Sequence, residues 1–176
     1  MKLLLILNNM KLPLLILATI ALVLGVIVSA LSTDASSGWT KSTYAKLAKM
    51  EKVGYERKFA TYIINRCKET ARDPNKCVNT ASFIGKAESN AGRDAYQNNV
   101  FGINEGKSYK SKEANFERWL KSYNKWWYKS PLPEHYYPPK GKVSKTRYCT
   151  DEHSSNSAVG CPGGLRIATQ TYNYFK

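Results

Sequence analysis

Ala87-Glu88-Ser89-Asn90-Ala91-Gly92, followed by Asn98-Asn99-Val100-Phe101-Gly102-Ile103, is the stretch on which the reading of this chain turns. Cys77, Ala81, Ile84 and Glu88 step by helical intervals, so a helix through this region carries all of them on one side. Three of these residues are small or apolar and the last is an acid. The spacing predicts a helix that opens at Asn75 or Cys77 and runs to about Ser89, with Gly92 as its C-terminal stop. A carboxyl group at the end of an apolar helical face is desolvated, which favours its neutral form. The negative end of the helix dipole acts in the same direction. Both effects make Glu88 a candidate proton donor near neutral pH. A capping or surface glutamate is the competing reading.

Outward from this helix, the pattern is mainly α. Tyr44–Lys52 and Tyr55–Lys68 read as helices, the second with Tyr55, Phe59, Tyr62 and Ile63 as a core-facing stripe. Arg72-Asp73-Pro74-Asn75 is a polar turn. Ile103–Trp119 alternates loosely around Asn104-Glu105-Gly106 and reads as a short β-hairpin lobe. Leu120–Lys129 reads as a helix with Tyr123, Trp126 and Trp127. Pro131, Pro133, Pro138 and Pro139 argue against regular structure from Ser130 to Gly141. Thr146–Cys161 reads as a loop and Leu165–Phe175 as a closing amphipathic helix.

The N-terminus has a separate character. No charged residue occurs from Leu12 to Leu31, a length that matches the ~20 apolar residues of a membrane-spanning helix and exceeds the ~7–15 of a signal-peptide core. Lys2 and Lys11 flank it on the N-terminal side, which keeps that side in the cytoplasm and exports the remainder of the chain. Val28-Ser29-Ala30 has the small residues a signal peptidase accepts, so residues 1–31 are a retained anchor or a cleaved signal. Residues 32–42 form a Ser/Thr-rich tether and 43–176 the exported domain, long enough for one real core.

Lys2, Lys11 and Asp34 are the only charges before Lys41, so nearly all of the formal net charge of +14 belongs to the exported part. Such a domain attracts polyanions. Export favours anionic cell-wall polymers and membrane surfaces over nucleic acid. A merely solubilising lysine surface is the plain alternative. All four cysteines are exported, and Cys67–Cys77 and Cys149–Cys161 each close a short polar loop, so two disulfides are expected. Cys149, His153 and Cys161 match no common zinc spacing. With no His-Glu-x-x-His and only two histidines, a zinc peptidase lacks ligands, and no cofactor motif is present.

Glu88-Ser89-x-x-Gly92 with Asn98-Asn99-x-Phe101-Gly102-Ile103 resembles the glucosaminidase family of peptidoglycan hydrolases, glycoside hydrolase family 73. Phe116-Glu117-Arg118-Trp119 and Tyr148-Cys149-Thr150-Asp151 are similar to later family segments, in the same order. The resemblance covers about Val78 to Phe175. It implies a lysozyme-like helical domain with a glycan groove, needing no cofactor or metal. Glu88 would be the general acid that protonates the leaving oxygen. Ser89, Asn99, Phe101 and Gly102 would shape the groove, and Tyr148 would stand near the reacting sugar. The family's hairpin lobe often supplies a second acid; Glu105, Glu113 and Glu117 are the candidates here. Otherwise the substrate's own N-acetyl group takes that part. Lytic transglycosylases share the fold and the leading glutamate, so the bond cleaved stays open. The segment Ser130–Lys145 departs from the family; its Tyr136 and Tyr137, with Trp126 and Trp127, are candidates for stacking on sugars. A non-catalytic basic module that holds wall polymer or DNA is the alternative of a different class.

Overall fold

The computed structural model describes residues 39–103, 107–142, 144–146, 148–149 and 161–176. The N-terminal apolar segment, Glu105 and the 150–160 loop lie outside the described residues. Among the described residues no helix is long and apolar enough to cross a membrane.

Among the described residues six α-helices occur in order: α1 (Lys41–Lys52), α2 (Arg57–Thr70), α3 (Pro74–Ser89), α4 (Lys112–Ser122), α5 (Pro133–Tyr136) and α6 (Pro162–Phe175). Helix α3 is the centre. It packs against α6 and α2, and its residues from Cys77 through Gly85 are nearly all buried. A helix buried around most of its circumference needs small and apolar residues on every side. Val78, Ala81, Phe83, Ile84 and Gly85 meet that need, and the Ser82 hydroxyl donates to the Val78 carbonyl at 2.7 Å.

Both ends of α3 are set by local chemistry. Pro74 occupies the first turn, where its missing N–H costs nothing, and the Asp73 carboxylate accepts from the Lys76 N–H at 3.0 Å. The C-terminal stop is Asn90, in the left-handed conformation at φ 53°, two residues before the Gly92 expected from the sequence. Asparagine tolerates this region well enough to end a helix there.

The Cys67–Cys77 disulfide ties the last turn of α2 to the first turn of α3. Closing a 10-residue separation of this kind stabilises by about 3 kcal/mol on the chain-entropy account. Phe101, Phe116, Trp119 and Tyr123 form a ladder of rings, with centroids 5.3 Å apart for Phe101–Trp119 and 5.1 Å for Trp119–Tyr123. It runs along one face of α4 and joins it to the loop after α3.

The sequence reading needs correction from 103 to 141. Residues 112–119 are helix rather than the far side of a hairpin, because Ser111 caps the first turn by accepting from the Ala114 N–H at 3.2 Å. The expected separate helix at Leu120–Lys129 is instead the end of α4 continued by a π-helical turn, Tyr123–Trp127. Its closing bond runs from the Tyr128 N–H to the Tyr123 carbonyl at 3.0 Å. The extra residue shifts the register, turning Trp127 inward and leaving Trp126 64 % exposed. The proline-rich segment holds one regular turn, α5, with Pro133 at its start.

Gly85 carries a testable consequence of this packing. The Tyr55 hydroxyl, bonded to the Ala81 and Ser82 carbonyls at 2.9 and 3.0 Å, fills the space where a Gly85 Cβ would stand. Gly85→Ala is expected to cost about 1–3 kcal/mol by overpacking, read as a fall in thermal unfolding temperature. Adding Tyr55→Phe should recover part of that loss; a neutral Gly85→Ala would refute the contact.

Candidate functional site

Glu88 stands in the last turn of α3, where the buried face runs out. Cys77, Ala81 and Ile84 on the same side are fully buried, while Glu88 reaches solvent. The loop after the helix then folds back over it. Three consecutive residues, Asn90, Ala91 and Gly92, have positive φ and reverse the chain. Gln97 and Asn98 do the same at φ 49° and 62°. Non-glycine residues in this region carry local strain, and a dense set of bonds holds them. The Asn98 amide donates to the Tyr109 carbonyl at 3.0 Å, and the Tyr109 N–H donates to the Gln97 carbonyl at 3.0 Å.

Ser89 is the hinge pin. Its buried hydroxyl donates to the Val100 carbonyl at 2.9 Å and accepts from the Gly92 N–H at 3.0 Å. Asn99 and Asn115 complete the frame. The Asn99 Oδ1 accepts from the Ile103 N–H and the Asn115 amide, both at 3.0 Å, and the Asn115 Oδ1 accepts from the Phe101 N–H at 2.9 Å. Phe101 points into the ring ladder, and its carbonyl accepts from the Tyr148 hydroxyl. Ser89, Asn99 and Phe101 are thus turned toward the scaffold, and they act by fixing where Gly102 lies.

Gly102 meets Glu88. At φ +60° it sits where an ordinary side chain is strained, and a Cβ there would collide with the Glu88 Oε2. Both residues are exposed, and Oε2 occupies the space over Gly102 that a side chain would otherwise fill. On the other side Glu88 Oε1 accepts from the Tyr137 hydroxyl at 2.6 Å. Tyr148 stands beside Tyr137, with ring centroids 6.0 Å apart. Glu88 therefore keeps an accessible surface while its carboxyl group is largely surrounded by protein. Burial raises its pKa above the usual carboxylate value, and the bond from Tyr137 partly opposes this. Burial also pushes Tyr137 and Tyr148 up, with the nearby Glu88 charge adding to it, so both remain phenols.

Neither Glu113 nor Glu117 is joined to Glu88 by a hydrogen bond. Glu105 lies outside the described residues. Glu113 falls in the first turn of α4. Glu117 is held by the Arg66 guanidinium at 2.7 and 3.1 Å and accepts from the Tyr62 hydroxyl at 2.7 Å. The bond from Arg66 is the main reason its pKa is lowered, which makes it a poor proton carrier. Of the four aromatics considered for stacking, Tyr136 and Tyr137 are buried and Trp127 donates its Nε1–H to the Thr146 carbonyl at 3.2 Å. Trp126 alone of them is widely exposed, with the Lys125 ammonium 4.6 Å from its ring centre.

Cys149 and Cys161 are joined as a disulfide, which removes them as metal ligands. Among the described residues no group of three or more His, Cys, Asp or Glu side chains is placed to hold a metal ion. Sequence reasoning does not reach the contacts of Tyr137, Asn115 and Tyr109, since no motif marks these residues and their partners are distant in sequence. No family model, curated protein or solved structure matches this chain.

The Glu117 pair yields a pH prediction. Its lowered pKa means that its contribution is present above the unfolded carboxylate value and is lost as pH falls through the folded one. Its side chain is 37 % exposed, so Glu117→Gln should cost less than about 1 kcal/mol at pH 7. The difference from wild type should begin to shrink as pH falls through the ordinary glutamate value and vanish only below the lowered folded one, as measured by urea unfolding. A cost that grows on acidification would refute the assignment.

Proposed function

We propose that this chain is an exported glycan-backbone hydrolase acting on peptidoglycan, of the endo-β-N-acetylglucosaminidase type, with Glu88 as general acid. The observation that carries the reading is the carboxyl group itself. Glu88 is accessible, desolvated enough to favour its proton, and free of ion pairs among the described residues. A glycosidic oxygen leaves poorly until it is protonated, and a donor of this kind supplies that proton. The resemblance of Glu88-Ser89-x-x-Gly92 and Phe101-Gly102-Ile103 to glycoside hydrolase family 73 supplies the substrate class and the lysozyme-like fold. Two disulfides fit an oxidising, extracytoplasmic location. Residues 12–31 would provide a membrane anchor or an export signal.

With Glu117 committed to Arg66, the substrate's N-acetyl oxygen is the simplest nucleophile. It would attack the anomeric carbon as the bond to the protonated leaving oxygen breaks, and water would then open the resulting ring. A lytic transglycosylase would use the same acid.

A second reading, a non-catalytic module that holds anionic wall polymer, is favoured by the basic aromatic surface at the end of α4. There Lys125 covers Trp126, and Arg72 lies 4.5 Å from the ring centre of Tyr128.

Zymography on purified cell wall separates the two. Clearing by wild type and a fall of about 10²–10⁴-fold in Glu88→Gln is expected. Equal clearing by both proteins would remove Glu88 from this role. Wall retention without clearing by either, released by salt, would favour the binding module. Products ending in reducing N-acetylglucosamine identify a glucosaminidase, and anhydro-muramic ends a transglycosylase.

A further inference from the structure

Tyr137 belongs to the proline-rich segment that departs from the family pattern, yet its hydroxyl lies 2.6 Å from Glu88 Oε1. The residue is 3 % exposed, so it cannot serve as a sugar platform. Its surroundings fix it on every side. The Tyr137 N–H donates to the Pro133 carbonyl at 2.9 Å. The carbonyls of the residues flanking it are both taken, that of Tyr136 by the Cys149 N–H at 3.3 Å and that of Pro138 by the Cys161 N–H at 3.2 Å. These donors are the two halves of the second disulfide. Finally, its ring rests against Gly164 in α6, where a Cβ would come within 2.7 Å of the ring.

We infer that Tyr137 is a positioning residue for Glu88, holding Oε1 so that the transferable proton is carried on Oε2, over Gly102. The inference rests on the general-acid reading of Glu88. A phenol donating to Oε1 occupies that oxygen, so the carboxyl proton belongs on the other one. Oε2 is the oxygen not bonded to Tyr137, and it lies over Gly102, an exposed residue with no side chain to cover it. When that proton leaves for the glycosidic oxygen, Glu88 becomes an anion and the Tyr137 bond strengthens. Among the described residues the titratable groups that act on the carboxyl are the phenols Tyr137 and Tyr148, from the segment after α4, and Tyr55 of the α1–α2 turn acts on those two phenols. Burial holds all three above their ordinary value, so they stay neutral while Glu88 titrates.

Tyr137→Phe in the full chain tests this, because it keeps the ring that packs on Gly164. On peptidoglycan, kcat is expected to fall about tenfold with KM unchanged, the worth of one hydrogen bond to a developing charge. Losing a bond that favours the charged form should also move the alkaline limb of the kcat profile to higher pH. Carbodiimide labelling of Glu88, which needs the protonated acid, reads the same shift by peptide mass spectrometry without turnover. Gly164→Ala, which displaces the ring but keeps the phenol, should shift labelling in the same direction. An unchanged labelling profile in both variants, or an unchanged kcat with normal labelling, overturns the role. Global unfolding of Tyr137→Phe would make Tyr137 a core residue instead and would equally overturn it. If wild type never clears cell wall, the hydrolase reading fails, and the labelling profile still decides whether Tyr137 governs Glu88.

Discussion

The Ser89 hydroxyl is the interaction on which the rest of this site depends. It joins the end of α3 to the returning loop by donating to Val100 and accepting from Gly92. That pair of bonds adds to the Ala91 N–H donating to the Gly85 carbonyl at 2.9 Å in holding the reversal through Asn90, Ala91 and Gly92, where Ala91 takes a positive φ that its side chain disfavours. With it, Val100 and Phe101 are drawn into the core, and the next residue, Gly102, is delivered to the Glu88 carboxyl. One buried hydroxyl thus brings a glycine backbone against the acid at a helix terminus.

The surroundings of Glu88 meet two demands that usually conflict. A proton donor must meet its substrate, yet it must be shielded from water to keep its proton at neutral pH. Here the demands fall on different oxygens. Oε1 accepts from the buried Tyr137, while Oε2 lies beside a residue with no side chain. Ionised Glu88 works against folding, because a carboxyl whose pKa is raised in the folded state lends stability only below its unfolded value and loses it as pH rises. The two disulfides and the ring ladder of α4 offset that cost elsewhere in the domain.

Much of this is legible in the chain. The spacing of Cys77, Ala81, Ile84 and Glu88 marks the buried face of α3 correctly, and the cysteine loops mark both disulfide pairs. The features that periodicity misses have physical causes. The hairpin expected up to Trp119 gives way to α4, because Ser111 caps it and Phe116, Trp119 and Leu120 recur at helical spacing into the core. The π turn at Tyr123–Trp127 has no sequence signature, and it leaves Trp126 outside. Tyr137 escapes a reading of the sequence because a proline-rich segment looks like exposed loop. Backbone bonds from Cys149 and Cys161 fold it inward, and contacts at such separation in sequence leave no local trace.

The claim that joins these parts is that burial raises the Glu88 pKa above its ordinary value while the residue stays exposed to a substrate. Titration of the Glu88 side-chain carboxyl by carbon NMR in selectively labelled protein, with Glu88→Gln to assign the signal, tests it directly. The expected result is a midpoint clearly above that of the other glutamates, and above that of Glu117 in particular. A midpoint at or below the usual glutamate value would contradict it.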